Sequence, residues 1–276
     1  MGLGRLLGEG ARANVYEWTE GRVLKLFQGN ASAKEVEFEL AVSRIVHDLG
    51  VPCPQVYGMA EWDKKPGIEF ERIDGATLLE LIVKHKFRVA RFAKGMARFH
   101  FAILQAVTNA PEIPTQHQRV TRTIESSEHI SHERKKRLLA VLDTLPEGEA
   151  VCHGDFYPGN VMISQGKHIA IDWATVSRGD KTGDIARTLM MMGSPYNPPG
   201  IPPALAFLAR TYKNIIRAVY RREILRLAKP SDSQLEAWML LHYASRLAEN
   251  IPGEQAWLLG ELDKRLRGKL APAAAV

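Results

Sequence analysis

The segment His153-Gly154-Asp155-Phe156-Tyr157-Pro158-Gly159-Asn160 brings a histidine, a carboxylate and a carboxamide together between two apolar runs, Ala150-Val151-Cys152 and Val161-Met162-Ile163. A second carboxylate, Asp172, closes the run His168-Ile169-Ala170-Ile171. These side chains suit phosphoryl transfer, which needs a positioned hydroxyl, an acceptor for its proton and metal ions bridging nucleotide phosphates. Asp155 can accept the hydroxyl proton, while Asn160 and Asp172 offer the hard oxygen donors that Mg2+ prefers. His153 is better suited to bracing the loop by hydrogen bonding than to reacting itself.

The elements that must hold these groups follow from the local pattern. Val161–Ile163 and His168–Ile171 read as the arms of a hairpin across Ser164-Gln165-Gly166-Lys167, which brings Asn160 and Asp172 to the same end. Upstream, residues 3–7, 14–18, 22–27, 55–62 and 67–73 read as short strands, the last two joined by the charged turn 63–67. One helix interrupts them, capped by Ser32 and running to Leu49, with Val36, Leu40, Ser43 and His47 as its stripe. After Asp74-Gly75 the period changes to that of helices, marked by Leu78, Leu81, Ile82, Phe92, Met96, Phe99, Ile103 and Leu104. Further helices are expected over 131–145, 203–227, 233–249 and 253–269, with a surface loop or flap at 108–118 and a frayed tail at 271–276. The fold class is therefore α+β. A small β-rich lobe with one main helix spans 1–73, a hinge falls at about 70–75, and a larger, mostly helical lobe spans 76–270.

If the loop is catalytic, the β-rich lobe should hold the nucleotide. Leu7-Gly8-Glu9-Gly10-Ala11-Arg12-Ala13-Asn14 reads as a phosphate-covering turn between strands, where Gly8 and Gly10 let backbone N–H groups approach phosphates. Lys25 interrupts the apolar strand Val23-Leu24-Lys25-Leu26-Phe27, and a cation there requires an opposite charge or access to water.

The spacing H-x-D-x-x-x-x-N followed by a hairpin aspartate resembles the catalytic loop of kinases. HGDFYPGNVM and IAIDW resemble, more narrowly, the aminoglycoside phosphotransferase and choline kinase superfamily, and Gly179-Asp180 with Gly183-Asp184-Ile185-Ala186 resembles the segment that follows IDW there. The resemblance implies a bilobal protein-kinase-like fold with ATP and Mg2+ as cofactors, GTP not being excluded. It implies that Lys25 binds nucleotide phosphates and pairs with a helix glutamate, selecting Glu39 over its competitor Glu35. It also implies that Phe70 flanks the base while the Glu71 carbonyl and the Ile73 N–H hydrogen-bond to it. Ala13 stands where the kinase pattern has its third glycine. His100, on an apolar helix, reads as a structural histidine, Asp184 as a helix cap or a brace for the catalytic loop, and Met190-Met191-Met192 as adaptable core.

Composition limits the partners. The chain has 276 residues with 37 Lys/Arg and 31 Asp/Glu, a formal net charge of +6. Residues 1–75 hold 9 basic and 12 acidic residues, leaving 28 and 19 for the remainder, so the helical lobe carries the excess. Clusters such as Arg134-Lys135-Lys136-Arg137 read as solvated helix faces, because no nucleic-acid-binding motif accompanies them. No run approaches the ~20 apolar residues of a membrane span, so neither nucleic acid nor membrane is an expected partner. Only Cys53 and Cys152 are present, and the start lacks a secretory pattern, so a cytoplasmic monomer or weak dimer is expected.

The acceptor is expected to be a small-molecule alcohol, since Gly193–Pro203 leaves no room for a long activation segment and no Ala-Pro-Glu element is present. By the resemblance, the region 108–135 and the helices after residue 203 form its pocket. Polycationic aminoglycosides call for an acidic pocket, whereas this lobe is net basic, so a neutral or anionic metabolite fits the balance equally well. Of Glu236, Glu249, Glu254, Glu261 and Asp263, we select Glu249 and Glu254 as substrate contacts. The rival reading, a nucleotide-binding regulator with little catalysis, is disfavoured by the intact set Lys25, Asp155, Asn160 and Asp172.

Overall fold

A computed structural model describes residues 2–10, 12–29, 31–195 and 203–269; the expected tail at 271–276 and most of the Pro-Gly segment before residue 203 lie outside the described residues. The amino-terminal lobe is an antiparallel sheet of β1 (Leu6–Glu9), β2 (Ala13–Glu17), β3 (Arg22–Phe27), β4 (Val56–Trp62) and β5 (Lys65–Glu71), ordered β1-β2-β3-β5-β4. The expected wide turn at 63–67 is tighter. Asp63 and Lys64 alone take left-handed backbone angles, and Lys65, Pro66 and Gly67 already pair with β4. The first strand also begins later than expected, at Leu6, and carries Gly8 opposite Val15.

Helix α1 (Ala33–Asp48) connects β3 to β4. It starts where Ser32 and Glu35 form a reciprocal capping box, which satisfies two N–H groups that would otherwise lack partners. Its buried stripe is Val36, Glu39, Val42, Ser43 and Val46, rotated from the expected Val36, Leu40, Ser43 and His47. The rotation has a polar cause: Glu39 turns inward to meet a cation on the sheet.

The second lobe begins with β6 (Ala76–Thr77) and α2 (Leu78–Lys84), capped by a Thr77–Glu80 box, and continues with α3 (Val89–Ile103). The region expected as a flap is firmly held. Val107 bridges to Ala150, Thr115 bridges to Arg178, and α4 (Gln116–Ser126) starts inside it on a Thr115–Gln118 capping box. Helix α5 (His132–Leu142) leads to β7 (Ala150–Cys152), then to the hairpin β8 (Val161–Ser164) and β9 (Lys167–Ala170), and to β10 (Ser177–Gly179), which pairs back onto β7. Gln165 and Gly166, both at positive φ, turn the hairpin with Ser164 opposite Lys167. Four helices complete the lobe: α6 (Lys181–Gly193), α7 (Pro203–Ala228), α8 (Asp232–Arg246) and α9 (Gln255–Lys269). The fold class is thus the expected one, a β-sheet amino-terminal region and a helical carboxy-terminal region. Among the described residues no helix is long and apolar enough to cross a membrane.

Two apolar clusters hold the lobes. The smaller contains Ala13, Phe27, Val36, Val56 and Ile68; the larger runs through the helical lobe and also takes in Val42, Val46 and Val51, so α1 packs into both. The link between sheet and helices is close, since a Cβ on Gly75 would lie 2.3 Å from the Ile163 carbonyl, and the Ser164 hydroxyl donates to the Asp74 carbonyl at 2.6 Å. The catalytic-type loop is anchored from below by Phe156, fully buried and stacked on His100 with ring centroids 4.1 Å apart. His100 is itself buried and bonded to Tyr220 and Asp184, a structural histidine as expected.

Candidate active site

Strand β3 lies in the middle of its sheet and alternates: Leu24 and Leu26 are buried on one face, and Lys25 projects from the other. The Lys25 ammonium sits 2.5 Å from Glu39 on α1 and 3.0 Å from Asp172, which follows the β8–β9 hairpin. Burial acts to lower its pKa, but the two carboxylates outweigh that effect and hold it above the ordinary lysine value. Glu35, the alternative partner, instead pairs with Arg12 and closes the Ser32 cap. Burial pushes the Glu39 carboxyl upward, with Lys25 opposing.

The loop 153–160 is built from local hydrogen bonds. His153 is fully buried, donates from Nε2 to the Ile171 carbonyl at 3.1 Å and accepts the Asp155 N–H at Nδ1 at 3.3 Å. Burial lowers its pKa, and the ring braces the loop by tying it to the residue preceding Asp172. Gly154 has φ +77° and approaches Thr175 so closely that a Cβ would stand 2.3 Å from its carbonyl, so only glycine fits. Asn160 is buried and spends its amide N–H groups on the Asp155 carbonyl and carboxylate, both at 2.9 Å, which leaves its side-chain oxygen as the group able to serve a ligand. Asp172 takes φ +65°, uncommon for a non-glycine residue, and its side chain is 45% exposed. The structure therefore brings Lys25, Glu39, Asp155, Asn160 and Asp172 to one place where the lobes meet.

Asp184 holds the loop from the other side. Its carboxylate, 1% exposed, accepts the backbone N–H groups of His153 and Gly154, each at 2.8 Å, and His100 Nε2 at 3.0 Å. Burial would raise its pKa, but these donors and the nearby His153 outweigh that and keep it below the ordinary aspartate value. Of the two roles the sequence allowed, it performs the brace; the cap of α6 is Asp180, whose carboxylate also accepts from Gln234 and Trp238.

The remaining sequence-derived candidates divide. Gly8 lies within β1, and Gly10 forms the tip, donating its N–H to the Ala13 carbonyl at 3.0 Å. Glu71 ends β5, its N–H donating to Gln55, and Ile73 lies just beyond. Both border a depression of about 720 Å³ that also involves Cys53, Arg98 and His168 but none of Lys25, Asp155, Asn160 or Asp172. Glu249 is held by Arg187 at 2.7 Å and Arg246 at 2.5 Å and remains partly exposed near Asp155. Glu254 is not available to a substrate. It is 1% exposed, and its carboxylate is taken by Arg246 and the Ser194 hydroxyl. The sequence reading passed over Arg187, whose Nε donates to the Gly154 carbonyl beside Asp155. Its signal was present, one turn after Asp184 and so on the same face of α6. Arg246, which holds Glu249 and Glu254, carried no such signal.

The two-lobed architecture defines the class, a chain of kinase-like fold. The APH phosphotransferase enzyme family matches residues 4–215, and the chain belongs to that family, as a small-molecule kinase. No curated protein matches it in sequence. Among solved structures it is similar to a thermostable mutant of aminoglycoside phosphotransferase APH(4)-Ia in its apo form, at 19% identity, with 98% of this chain and 96% of that chain covered and a TM-score of 0.65. Amicoumacin kinase hAmiN in complex with AMP-PNP, Ca2+ and Ami shares 15% identity over 96% and 88% of the two chains, with a TM-score of 0.60. An ethanolamine kinase of Plasmodium vivax shares 11% identity over 95% and 82%, with a TM-score of 0.59. These likenesses show the fold.

Replacing the brace should be costly. Asp184→Ala leaves two buried N–H groups and a buried histidine without their acceptor, and is expected to lose about 3–5 kcal/mol of unfolding free energy at neutral pH. In the parent protein the folded pKa is depressed. Its contribution is therefore complete above the unfolded aspartate value, about 3.9, and is lost only as pH falls through the folded one. Urea denaturation of both proteins at neutral pH measures the effect, and a difference below about 1 kcal/mol would show that the bonds to Asp184 are not holding the loop.

Proposed function

We propose that the chain transfers the γ-phosphate of ATP to a hydroxyl group of a small molecule, with Mg2+ as its metal. The observation that carries this reading is the convergence of Asp155, Asn160 and Asp172 with the Lys25–Glu39 pair, four elements meeting at one point. Asp155 would accept the proton of the attacking hydroxyl, its carboxylate oriented by Asn160 and its neighbourhood set by Arg187. Lys25 would steady the phosphates while Glu39 and Asp172 fix its position. Gly8 and Gly10 would offer backbone to the triphosphate, and the Glu71 carbonyl and Ile73 N–H would receive the base. The localisation that fits such a reaction is the cytoplasm, where the nucleotide is available.

The residues present fit Mg2+. The free amide oxygen of Asn160 and the part-exposed Asp172 carboxylate are hard donors, and among the described residues no group of three or more His, Cys, Asp or Glu forms a cage. That donor set suits a cation that completes its shell with phosphate oxygens and water rather than one enclosed by protein. When bound, the ion neutralises charge on the phosphates as they react.

Asp155→Asn is expected to lower kcat by ~10²–10⁴ with nucleotide affinity nearly unchanged, while Asp172→Ala is expected to abolish Mg2+-dependent nucleotide binding. Calorimetric titration of AMP-PNP with and without Mg2+, beside a product assay over a mixed metabolite and antibiotic library, separates the two roles. Equal loss of binding in both variants would contradict them.

The pH profile provides an independent check. Burial, followed by the charges of Asp172 and Glu249, raises the Asp155 pKa, whereas Arg187 and His153 oppose the rise. A base works above its pKa, so removing the opposing cation should move the acid limb upward. For Arg187→Gln the acid limb of the kcat profile is expected at higher pH than in the parent, and an unchanged or lower limb would dissociate Arg187 from Asp155.

A further inference from the structure

Helix α2 is apolar on two faces. Leu78 and Ile82 turn inward and are buried, whereas Leu79 and Val83, also one turn apart, are 48% and 64% exposed. A single 3-10 turn, Lys86–Arg88, then leads into α3 without burying any residue, and Phe87 at its centre is 106% exposed. A side chain that open projects from the surface and packs on nothing. Single exposed apolar side chains are ordinary, but Leu79, Val83 and Phe87 recur every fourth residue, and apolar groups clustered inside a polar rim mark an interaction site.

The rim is basic. Residues 79–98 hold six Lys/Arg against one carboxylate, Glu80, and no Asp or Glu occurs between Leu81 and Pro111. Glu80 is spent on the N–H and hydroxyl of Thr77 in the cap of α2. Asp74, just before α2, is paired with Arg72, and Glu223 of α7, whose charge Lys94 also feels, is already shared by Arg98 and Arg226. Lys84, Lys86, Arg88, Arg91 and Lys94 are all exposed, and among the described residues none of the five has an ion pair or a side-chain hydrogen bond. Arg91 and Lys94 lie one turn apart on one face of α3.

We infer that this face docks on an anionic lipid membrane, with Leu79, Val83 and Phe87 entering the boundary between headgroups and acyl chains and the five cations around them meeting lipid phosphates. Lasting attachment to a membrane surface takes two signals, apolar burial and a basic patch, and both stand here within residues 79–94. Such docking requires no membrane-spanning run and is independent of the reaction proposed above. Other partners fit the face less well. A second copy meeting it symmetrically would set five cations against five of the same sign. A nucleic acid would meet the cations and stack on Phe87 but offers nothing to the aliphatic Leu79 and Val83. Protein interfaces exclude lysine from their apolar centre, whereas Lys84, Lys86 and Lys94 suit the headgroup level, with stems along apolar surface and ammonium groups in water.

The test uses the full chain and large unilamellar vesicles, of phosphatidylcholine alone or of phosphatidylcholine and phosphatidylglycerol in equal parts, with binding measured by co-flotation. Binding to the anionic vesicles is expected to exceed binding to the neutral ones by about a hundredfold and to fall as salt rises. No binding to the anionic vesicles overturns the inference, and so does equal binding to both. Polyuridylate and polyglutamate serve as soluble competitors at the same concentration of negative charge. If either holds the chain more tightly than the anionic vesicles do, the face belongs to a nucleic acid or an acidic protein and the inference fails.

Variants locate the face. Phe87→Ser is expected to lower partition onto the anionic vesicles about tenfold, and Lys86→Gln combined with Arg88→Gln about thirtyfold, each cation near the surface being worth about fivefold. All three side chains are exposed and bury nothing, so thermal unfolding should stay unchanged and the loss of binding reads the face itself. Lys136→Gln combined with Arg137→Gln, on α5, removes the same charge elsewhere and is expected to change binding by less than about twofold. If that pair lowers binding as much as the pair at 86 and 88, or if Phe87→Ser leaves binding unchanged, net charge alone attracts the chain and the proposal falls.

Discussion

The Lys25 ammonium is held between Glu39 and Asp172, and most of the molecule is arranged around keeping it there. Taking three charges from water is expensive, and Coulomb attraction returns that cost only when the geometry is tight. Each member therefore comes from a different rigid element: the central strand of the sheet, a helix capped at Ser32, and the end of a short hairpin. Because the lysine belongs to one lobe and the aspartate to the other, the ion pair also fixes the relation of the lobes at the point where chemistry would occur. The net charge of the triad is −1, which under the proposed function would suit a divalent cation, with the Lys25 ammonium donating to phosphate oxygen in place of one carboxylate.

The second constraint is that a polar loop crosses the interior of the helical lobe, where unpaired backbone groups are costly. Asp184 accounts for two of its N–H groups, Arg187 for the Gly154 carbonyl and Thr175 for the His153 carbonyl. Phe156 fills the space beneath, against His100 and His153. With its backbone satisfied and its one large apolar side chain buried, the loop has little freedom left, and Asp155 and Asn160 keep one mutual orientation. A preorganised carboxylate of this kind avoids reorientation when a proton arrives.

How far the sequence reveals this depends on whether the information is local. The loop, the hairpin and Asp172 were legible because turn chemistry and strand alternation act over a few residues, and the same holds for the Ser32 cap. Helix α4 was not, since only Val120 and Ile124 among its larger apolar residues are buried and its composition is otherwise polar; the Thr115–Gln118 box was its one clear mark. The stripe of α1 was misplaced because a periodicity argument treats Glu39 as surface, whereas its burial comes from a lysine on a distant strand. Glu254 failed for the converse reason: a carboxylate in a basic lobe looks available until Arg246, eight residues earlier, is seen to enclose it. Strand β10 pairing onto β7 is likewise a tertiary event that no short window contains.

Charge shows most plainly why position outranks composition. The excess of basic residues in the helical lobe suggested a solvated surface, and some of it is that: Arg134 meets Asp263 at 2.9 Å, and Arg226 and Arg98 share Glu223, all with exposed cations that water screens. The guanidiniums near Asp155 belong to the same excess but behave differently, because three of them are largely withdrawn from solvent and act on one another and on the carboxylate between them. An arginine on the rim changes little when its neighbour is lost, whereas one packed against the loop, as Arg187 is, bears on the protonation of the Asp155 carboxylate. The net charge of the chain is therefore a poor guide to its site, where the arginines beside Asp155 are met by Glu249, Glu254 and Asp155 itself.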